Sequence, residues 1–267
     1  MTEGVTTRRV VRYRGDIQTV SDQLVVEEPM EIRLGGRPLA VVMRTPGNDA
    51  ELVLGFAITE GIVTGPGDVA DVRDLAEGRW ELVLTGGVSI DPGQFERNFY
   101  ATSSCGVCGK ASIDALRVAG SLPPAGPVVD SSVIMSLPDR LMEQQSAFHA
   151  TGGLHAAAAF TSDGILLAVR EDIGRHNATD KLIGHLARQD WPLEPMGLMV
   201  SGRISFEIVQ KAAVAGISMV CGVSAASSLA VELAGEFGMT LIGFIREEGF
   251  ILYADRDRLT NLGGVGA

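Results

Sequence analysis

Met196-Gly-Leu-Met-Val-Ser-Gly-Arg-Ile-Ser-Phe-Glu-Ile-Val-Gln-Lys-Ala-Ala-Val-Ala-Gly-Ile-Ser-Met-Val-Cys-Gly222 is the stretch on which the fold turns. It divides into a short apolar run at 196–200, a polar turn, a helical pattern over 204–215 and a second apolar run at 217–222. Two short buried strands joined by a helix form a parallel pair, because a parallel connection needs a crossover of this length. The pattern continues on both sides. A helix at 227–237 and strands at 239–245 and 250–254 follow, while strands at 155–160 and 165–170, hinged by Ser162-Asp163-Gly164, and a helix at 177–189 precede it. Alternation of this kind predicts an α/β fold: a mixed, largely parallel sheet with helices on both faces.

Residues 1–120 read differently, as a β-rich part. Gly35-Gly36 sits between strands at 24–34 and 38–44, a hairpin signal. Asn48 is placed to cap a helix reaching about Ile62, with Leu52, Val53, Phe56 and Ala57 inward. Short strands near 68–75 and 79–84 lead into a cysteine-bearing loop and a helix at 110–119. Ser121-Leu-Pro-Pro-Ala-Gly-Pro127 resists regular structure and is the predicted linker. Beyond it, residues 128–267 form the α/β part, opened by a helix from Leu137-Pro138 to about Ala147.

The chain has 267 residues, enough for one large or two small domains, and 46% are apolar. A net charge of −11 argues against a general nucleic-acid surface. No apolar segment precedes a cleavage site near Met1, and the uncharged run between Lys211 and Glu232 is broken by glycines and serines. Three cysteines fit a reducing compartment, so a cytoplasmic location with no membrane span is expected.

Ligands in open α/β sheets bind beyond the carboxyl ends of the strands. The loops expected there are polar: Glu171-Asp172-Ile-Gly-Arg-His176-Asn177, Ser201-Gly202-Arg203, Ser224 to Ser228, and Arg246-Glu247-Glu248-Gly249. A helix N-terminus offers free N–H groups to an anion, and Arg203 after a glycine adds a guanidinium. His176, Asp180 and Lys181 fall one helical turn apart. Cys221 lies in an apolar run and reads as core.

Ser103-Ser104-Cys105-Gly106-Val107-Cys108-Gly109-Lys110 holds the other two cysteines in a glycine-flanked turn. Thiolate is the reactive form, and a following helix together with Lys110 would favour it. A structural zinc site needs four ligands, whereas there is one CxxC and no histidine pair at ligand spacing. The turn therefore reads as a reactive loop, with structural metal as the competing reading and no intrinsic metal expected. Its glycines and few apolar anchors predict mobility near 100–110.

Taken together, Ser104 to Gly109, Glu171-Asp172-Ile-Gly-Arg-His-Asn-Ala-Thr-Asp-Lys181 and Ser201-Gly-Arg-Ile-Ser-Phe-Glu207 resemble the FdhD family of formate dehydrogenase accessory sulfurtransferases. The likeness runs from Glu28-Pro29 to Asn261. It implies a sulfur carrier: a cysteine desulfurase loads a persulfide on Cys105, with Cys108 resolving, relaying or tuning. The sulfur then passes to the bis(molybdopterin guanine dinucleotide) molybdenum cofactor of a formate dehydrogenase. The resemblance further implies a fold similar to cytidine deaminases, a homodimer, and nucleotide contacts at Phe244-Ile245-Arg246-Glu247-Glu248-Gly249. Ser201, Gly202, Arg203, Asp172 and His176 complete the expected cofactor site, for which GDP or GMP would serve as fragment ligands. Glu247-Glu248 would repel phosphate and should point elsewhere or meet the guanine edge. The deaminase zinc signature is absent, since no histidine has glutamate two positions on. The competing function is a nucleotide-binding regulatory protein whose CxxC senses zinc or redox state.

Overall fold

The computed structural model describes residues 4–88, 90 and 126–263. Cys105, Cys108, the predicted helix at 110–119, the loop near 100–110 and most of the 121–127 linker lie outside the described residues.

The chain begins with a hairpin that the sequence reading had not anticipated. Strands β1 (Val5–Tyr13) and β2 (Ile17–Val25) pair antiparallel in full register. Next come β3 (Glu28–Leu34) and β4 (Arg37–Arg44), joined as expected by Gly35-Gly36, both at positive φ. That conformation suits a two-residue hairpin turn and costs glycine nothing. Helix α1 (Asp49–Thr59) ends three residues before the predicted Ile62. Asn48 enters it in the left-handed region without a side-chain cap bond. β5 (Val69–Asp74) and β6 (Arg79–Leu84) complete a four-stranded sheet of order β4-β3-β6-β5. Met30, Ile32, Leu34 and Leu82 from this sheet pack on Leu52, Val53 and Phe56 of α1.

The second half opens with β7 (Val129–Asp130) and α2 (Ser131–Gln144). Here the helix starts six residues before the predicted Leu137. Asp130 supplies the N-cap, accepting from the Ser132 N–H at 2.8 Å, and Pro138 lies inside the helix rather than at its first turn. A short α3 (Ser146–Thr151) leads to β8 (His155–Phe160) and β9 (Leu166–Asp172). Then follow α4 (Arg175–Gln189), β10 (Gly197–Val200), α5 (Phe206–Val214), β11 (Met219–Gly222), α6 (Ser228–Glu236), β12 (Thr240–Arg246), β13 (Gly249–Ala254) and β14 (Leu259–Thr260). β14 pairs parallel with β7.

Six of these strands form the main sheet in the order β13-β12-β11-β10-β8-β9. It is mixed, but the expectation of a largely parallel sheet needs correction. Only β10, β11 and β12 are mutually parallel neighbours; β8 pairs antiparallel with both β10 and β9, and β13 with β12. The cause is local: the tight 161–165 and 247–248 turns fold β9 and β13 back as hairpins, leaving no room for a crossover helix. Strict alternation still sorts the side chains. Ala157, Ala159, Leu198, Val200, Val220 and Leu241 face α4, α5 and α6. Ala156, Ala158, Phe160, Met199, Met219, Cys221 and Ile242 face Ile134, Leu137 and Leu141 of α2. Helices cover both faces, as predicted, and Cys221 is core, where burial pushes its thiol pKa far up.

The two halves meet where α1 packs on α4. A Cβ at Gly55 would stand 1.8 Å from the Asp180 carbonyl oxygen, and one at Gly184 would stand 1.9 Å from that of Glu51. Only glycines let these backbones approach so closely.

Candidate functional site

Register decides what gathers at one edge. β9, β10, β11 and β12 run in the same direction, so their carboxyl ends share one side of the sheet, and β8 and β13 start there. The loops after Asp172, Val200, Gly222 and Arg246 therefore emerge together, as the strand-end argument required.

At the β9 end, Asp172 is fully buried. Its carboxylate accepts the N–H groups of Thr45 at 3.1 Å and Gly174 at 2.8 Å, and Asn177 Nδ2 at 3.0 Å, while Lys181 Nζ lies 2.7 Å away. Lys181 also donates to the Thr45 carbonyl at 2.7 Å, and Asn177 to that of Met43 at 2.7 Å. Asp172 thus straps the 172–177 loop to the end of β4, and with every oxygen engaged it positions the loop rather than reaching a ligand. Asp180, one turn on, accepts from Thr59 Oγ1 at 2.7 Å and Lys211 Nζ at 2.9 Å; Lys211 also meets Thr59 Oγ1 and Glu60. Burial alone would pull the Lys211 pKa down, but the charges of Asp180 and Glu60 raise it, so the ammonium stays charged.

His176, by contrast, is part-exposed. Its Nε2 lies 2.8 Å from Glu207 and 3.2 Å from Ser205 Oγ. A serine–histidine–carboxylate relay needs its two partners on opposite ring nitrogens; both meet Nε2 here, so no such relay is built. One oxygen of the buried Glu207 has no hydrogen-bond partner among the described residues.

At the β10 end, the Ser201 hydroxyl accepts the Ala156 N–H at 2.8 Å and prolongs the strand pairing. Ser201-Gly202-Arg203 does not open the helix directly, as the sequence reading placed it: Ile204 bridges to Ala226, and α5 begins at Phe206 behind Ser205. Arg203 is exposed and makes no hydrogen bond or ion pair among the described residues. Gly202 is buried beneath two side chains. A Cβ there would stand 3.1 Å from His155 Nδ1 and 3.7 Å from Arg175 Cδ.

His155 is the residue sequence reasoning missed, while Arg175 stood in the polar 171–177 loop but outside the expected cofactor-binding set. His155 begins β8 opposite Asp172. Burial first, then the charges of Arg175, His176 and Arg203, press its pKa below the ordinary histidine value, and Asp172 pulls weakly the other way. It is a neutral imidazole at pH 7 among cations.

Farther along, Ser227 caps α6 by accepting the Ala230 N–H at 3.2 Å. Arg246 Nη1 donates to the carbonyls of Val223 and Ile245, both at 2.7 Å, and so brackets two strand ends. Ile245 is fully buried, Phe244 is 41% exposed, and Glu247 and Glu248 form the exposed β12–β13 turn ahead of Gly249. The structure thus brings Arg203, Gly202, His176, Phe244 and Arg246 to one edge and withdraws Asp172 and Ile245 from it. Among the described residues, no helix is long and apolar enough to cross a membrane.

Fold and edge together define an α/β protein whose strand-end edge carries Arg175, Arg203 and Arg246. The model of the FdhD/NarQ family matches residues 25–260, and the chain belongs to that family. It is 49% identical to the sulfur carrier protein FdhD of Streptomyces coelicolor, over 97% of each chain. The protein of the same name from Mycobacterium tuberculosis is 46% identical, over 96% of this chain and 99% of that one. For that of Sulfolobus acidocaldarius the figures are 42%, 89% and 91%. A crystal structure assigned as a formate dehydrogenase accessory protein from Desulfotalea psychrophila shares the fold, with a TM-score of 0.76 at 22% identity over 96% of this chain and 99% of that one.

Proposed function

We propose that this chain is a sulfur carrier required for formate dehydrogenase activity. The observation that carries the reading is the Arg203 guanidinium, without a hydrogen-bond or ion-pair partner among the described residues, beside buried Gly202 at the strand ends of a chain whose relatives are named sulfur carriers. A guanidinium binds phosphate in a forked geometry, and the bis(molybdopterin guanine dinucleotide) substrate carries phosphates. Arg203, with Gly202 and Arg175 beside it, would hold that substrate by its nucleotide part. In the loading step the Cys105 thiolate attacks the terminal sulfur of a cysteine desulfurase persulfide. A new S–S bond forms on Cys105, the old one breaks, and the desulfurase cysteine leaves as thiolate. The Cys108 thiolate then attacks the inner, Cys105 sulfur; a Cys105–Cys108 disulfide forms as the persulfide S–S bond breaks, and the terminal sulfur leaves as sulfide for the molybdenum substrate. The reading includes a cytoplasmic homodimer, a division of labour between residues 1–120 and 128–267, and a sheet similar to the cytidine deaminase fold.

Intact mass spectrometry after incubation with a cysteine desulfurase and cysteine tests the first step. A gain of one sulfur by the wild type, absent in Cys105→Ala, is expected. No gain, together with stoichiometric bound zinc, would favour the regulatory-sensor reading instead.

A further inference from the structure

The hairpin at the start of the chain plays no part in the strand-end edge. β1 and β2 form a ribbon of their own, nine residues long in each strand and so about 30 Å from base to tip, with no third strand paired to it. The family match begins at Val25, the last residue of β2, so the likeness to the family leaves the ribbon out. Its base is tied to the body of the molecule. The Gly4 carbonyl accepts the Val26 N–H at 2.8 Å, α3 lies against both strands, and a Cβ on Gly153 would stand 3.1 Å from Val25 Cγ2. An isolated hairpin is marginally stable in water unless more structure covers it.

The tip is where apolar surface is left over. Val11, Tyr13 and Ile17 are 67%, 74% and 77% exposed, the three highest values for large apolar side chains among the described residues. Tyr13 pairs directly with Ile17, and Val11 lies two residues from Tyr13, so all three share one face. Arg9 stands on that face too, Arg8 and Arg12 on the other, and Arg14 follows the strand. None of these four guanidiniums makes a hydrogen bond or ion pair among the described residues. With Asp16 and Asp22 the hairpin carries a net +2, which leaves −13 on the rest of the −11 chain.

We propose that this hairpin is a dimer arm: its tip lies on the acidic body of a second copy, whose own arm returns the contact. The inference rests on the homodimer of the preceding reading and deepens it by naming the surface. Charge selects the occupant, because a basic arm finds its complement in another body of the same acidic chain. Pairing β1 against β1 instead would gather Arg8, Arg9 and Arg12 of both copies along one seam, where like charges repel. Arm therefore meets body. Each copy gives one arm and receives one, which closes the contact about a two-fold axis. Val11, Tyr13 and Ile17 are its apolar anchors, and the arginines form its rim.

Sedimentation equilibrium on the full chain tests the arm. The wild type is expected to dimerise, with a dissociation constant that rises as salt screens the arginines. Tyr13→Ser combined with Ile17→Ser should weaken the dimer at least about thirtyfold, the scale of one hot-spot residue, and leave the far-ultraviolet circular dichroism unchanged. Arg9→Glu combined with Arg12→Glu should weaken it as well and flatten the salt response. A dimer unmoved by these substitutions would place the interface elsewhere and overturn the proposal. A monomeric wild type would overturn it too, and binding of that monomer to phosphatidylserine vesicles through the arm would assign the arm to a membrane. Sulfur loading from the desulfurase is read separately by mass and should persist in both variants. Its failure in the wild type would sink the sulfur-carrier reading without touching the interface.

Discussion

Two groups of charges come from a single motif, Glu171–Lys181, and they behave in opposite ways. Asp172, Asp180 and Lys181 point inward, are almost wholly buried, and find partners just beyond β4, on α1 and on α5. Arg175 and His176 point to the strand-end edge beside Gly202, His155 and Glu207. The inner group joins the two halves of the molecule; the outer group stands at the strand-end edge. A buried charge is tolerated only when paired and hydrogen-bonded, so the inner group should govern stability. The outer side chains are only half-buried and a partly exposed charge costs less to remove, so the outer group should govern binding.

That contrast can be broken at its strongest point. Lys211→Met leaves Asp180 and Glu60 without their ammonium. It should cost about 3–5 kcal/mol in urea unfolding, the scale for stranding a buried charge. An unchanged midpoint would mean that the inner group is not structural.

Gly184→Ala should come next. An alanine normally gains about 1 kcal/mol over glycine in a helix. Here its Cβ would meet the Glu51 carbonyl at 1.9 Å, backbone that cannot swing away, so overpacking of about 1–3 kcal/mol should win. A rise in thermal midpoint would show that the α1–α4 contact is slack.

Glu51 sharpens the comparison through pH. Arg170 donates to its two oxygens at 2.6 and 2.9 Å, and His185 Nδ1 lies 2.9 Å away. Burial pulls the Glu51 pKa up, but Arg170 and then His185 outweigh it, leaving the carboxyl below its ordinary range. A depressed folded pKa contributes stability above the unfolded value that is lost as pH falls through the folded one. Glu51→Gln should therefore lower the melting temperature by a few degrees at pH 7, and the gap to wild type should close in acid. A gap independent of pH would assign the effect to packing.

The smallest stability effect is expected at Arg203. Arg203→Ala should leave unfolding within about 0.5 kcal/mol of wild type while GDP affinity falls. Loss of stability without loss of affinity would reverse the roles of the two groups.

Much of this was legible in advance because it is local. The hairpin at Gly35-Gly36, the strand–helix–strand unit at 196–222 and the polar strand ends each depend on periodicity and turn chemistry within a few residues. The start of α2 was misjudged by six residues because Pro138 looked like a first-turn proline, while the true cap, Asp130, stood outside the apolar pattern. His155 was missed for a different reason. It opens a strand, and only the antiparallel entry of β8 beside β10 carries that opening residue to the edge where the other strands end.

By itself, then, the sequence determined the strand–helix alternation after β8, the apolar faces that cover the sheet, and the family, through three motifs that are recognised along the chain. Tertiary structure alone decided which charges of the 171–181 motif are struts and which stand at the strand-end edge. Asp172 and Lys181 are satisfied by Thr45, and Asp180 by Thr59, partners more than a hundred residues away. A side chain's exposure depends on what packs over it, and no local pattern records a neighbour that the chain supplies from so far away.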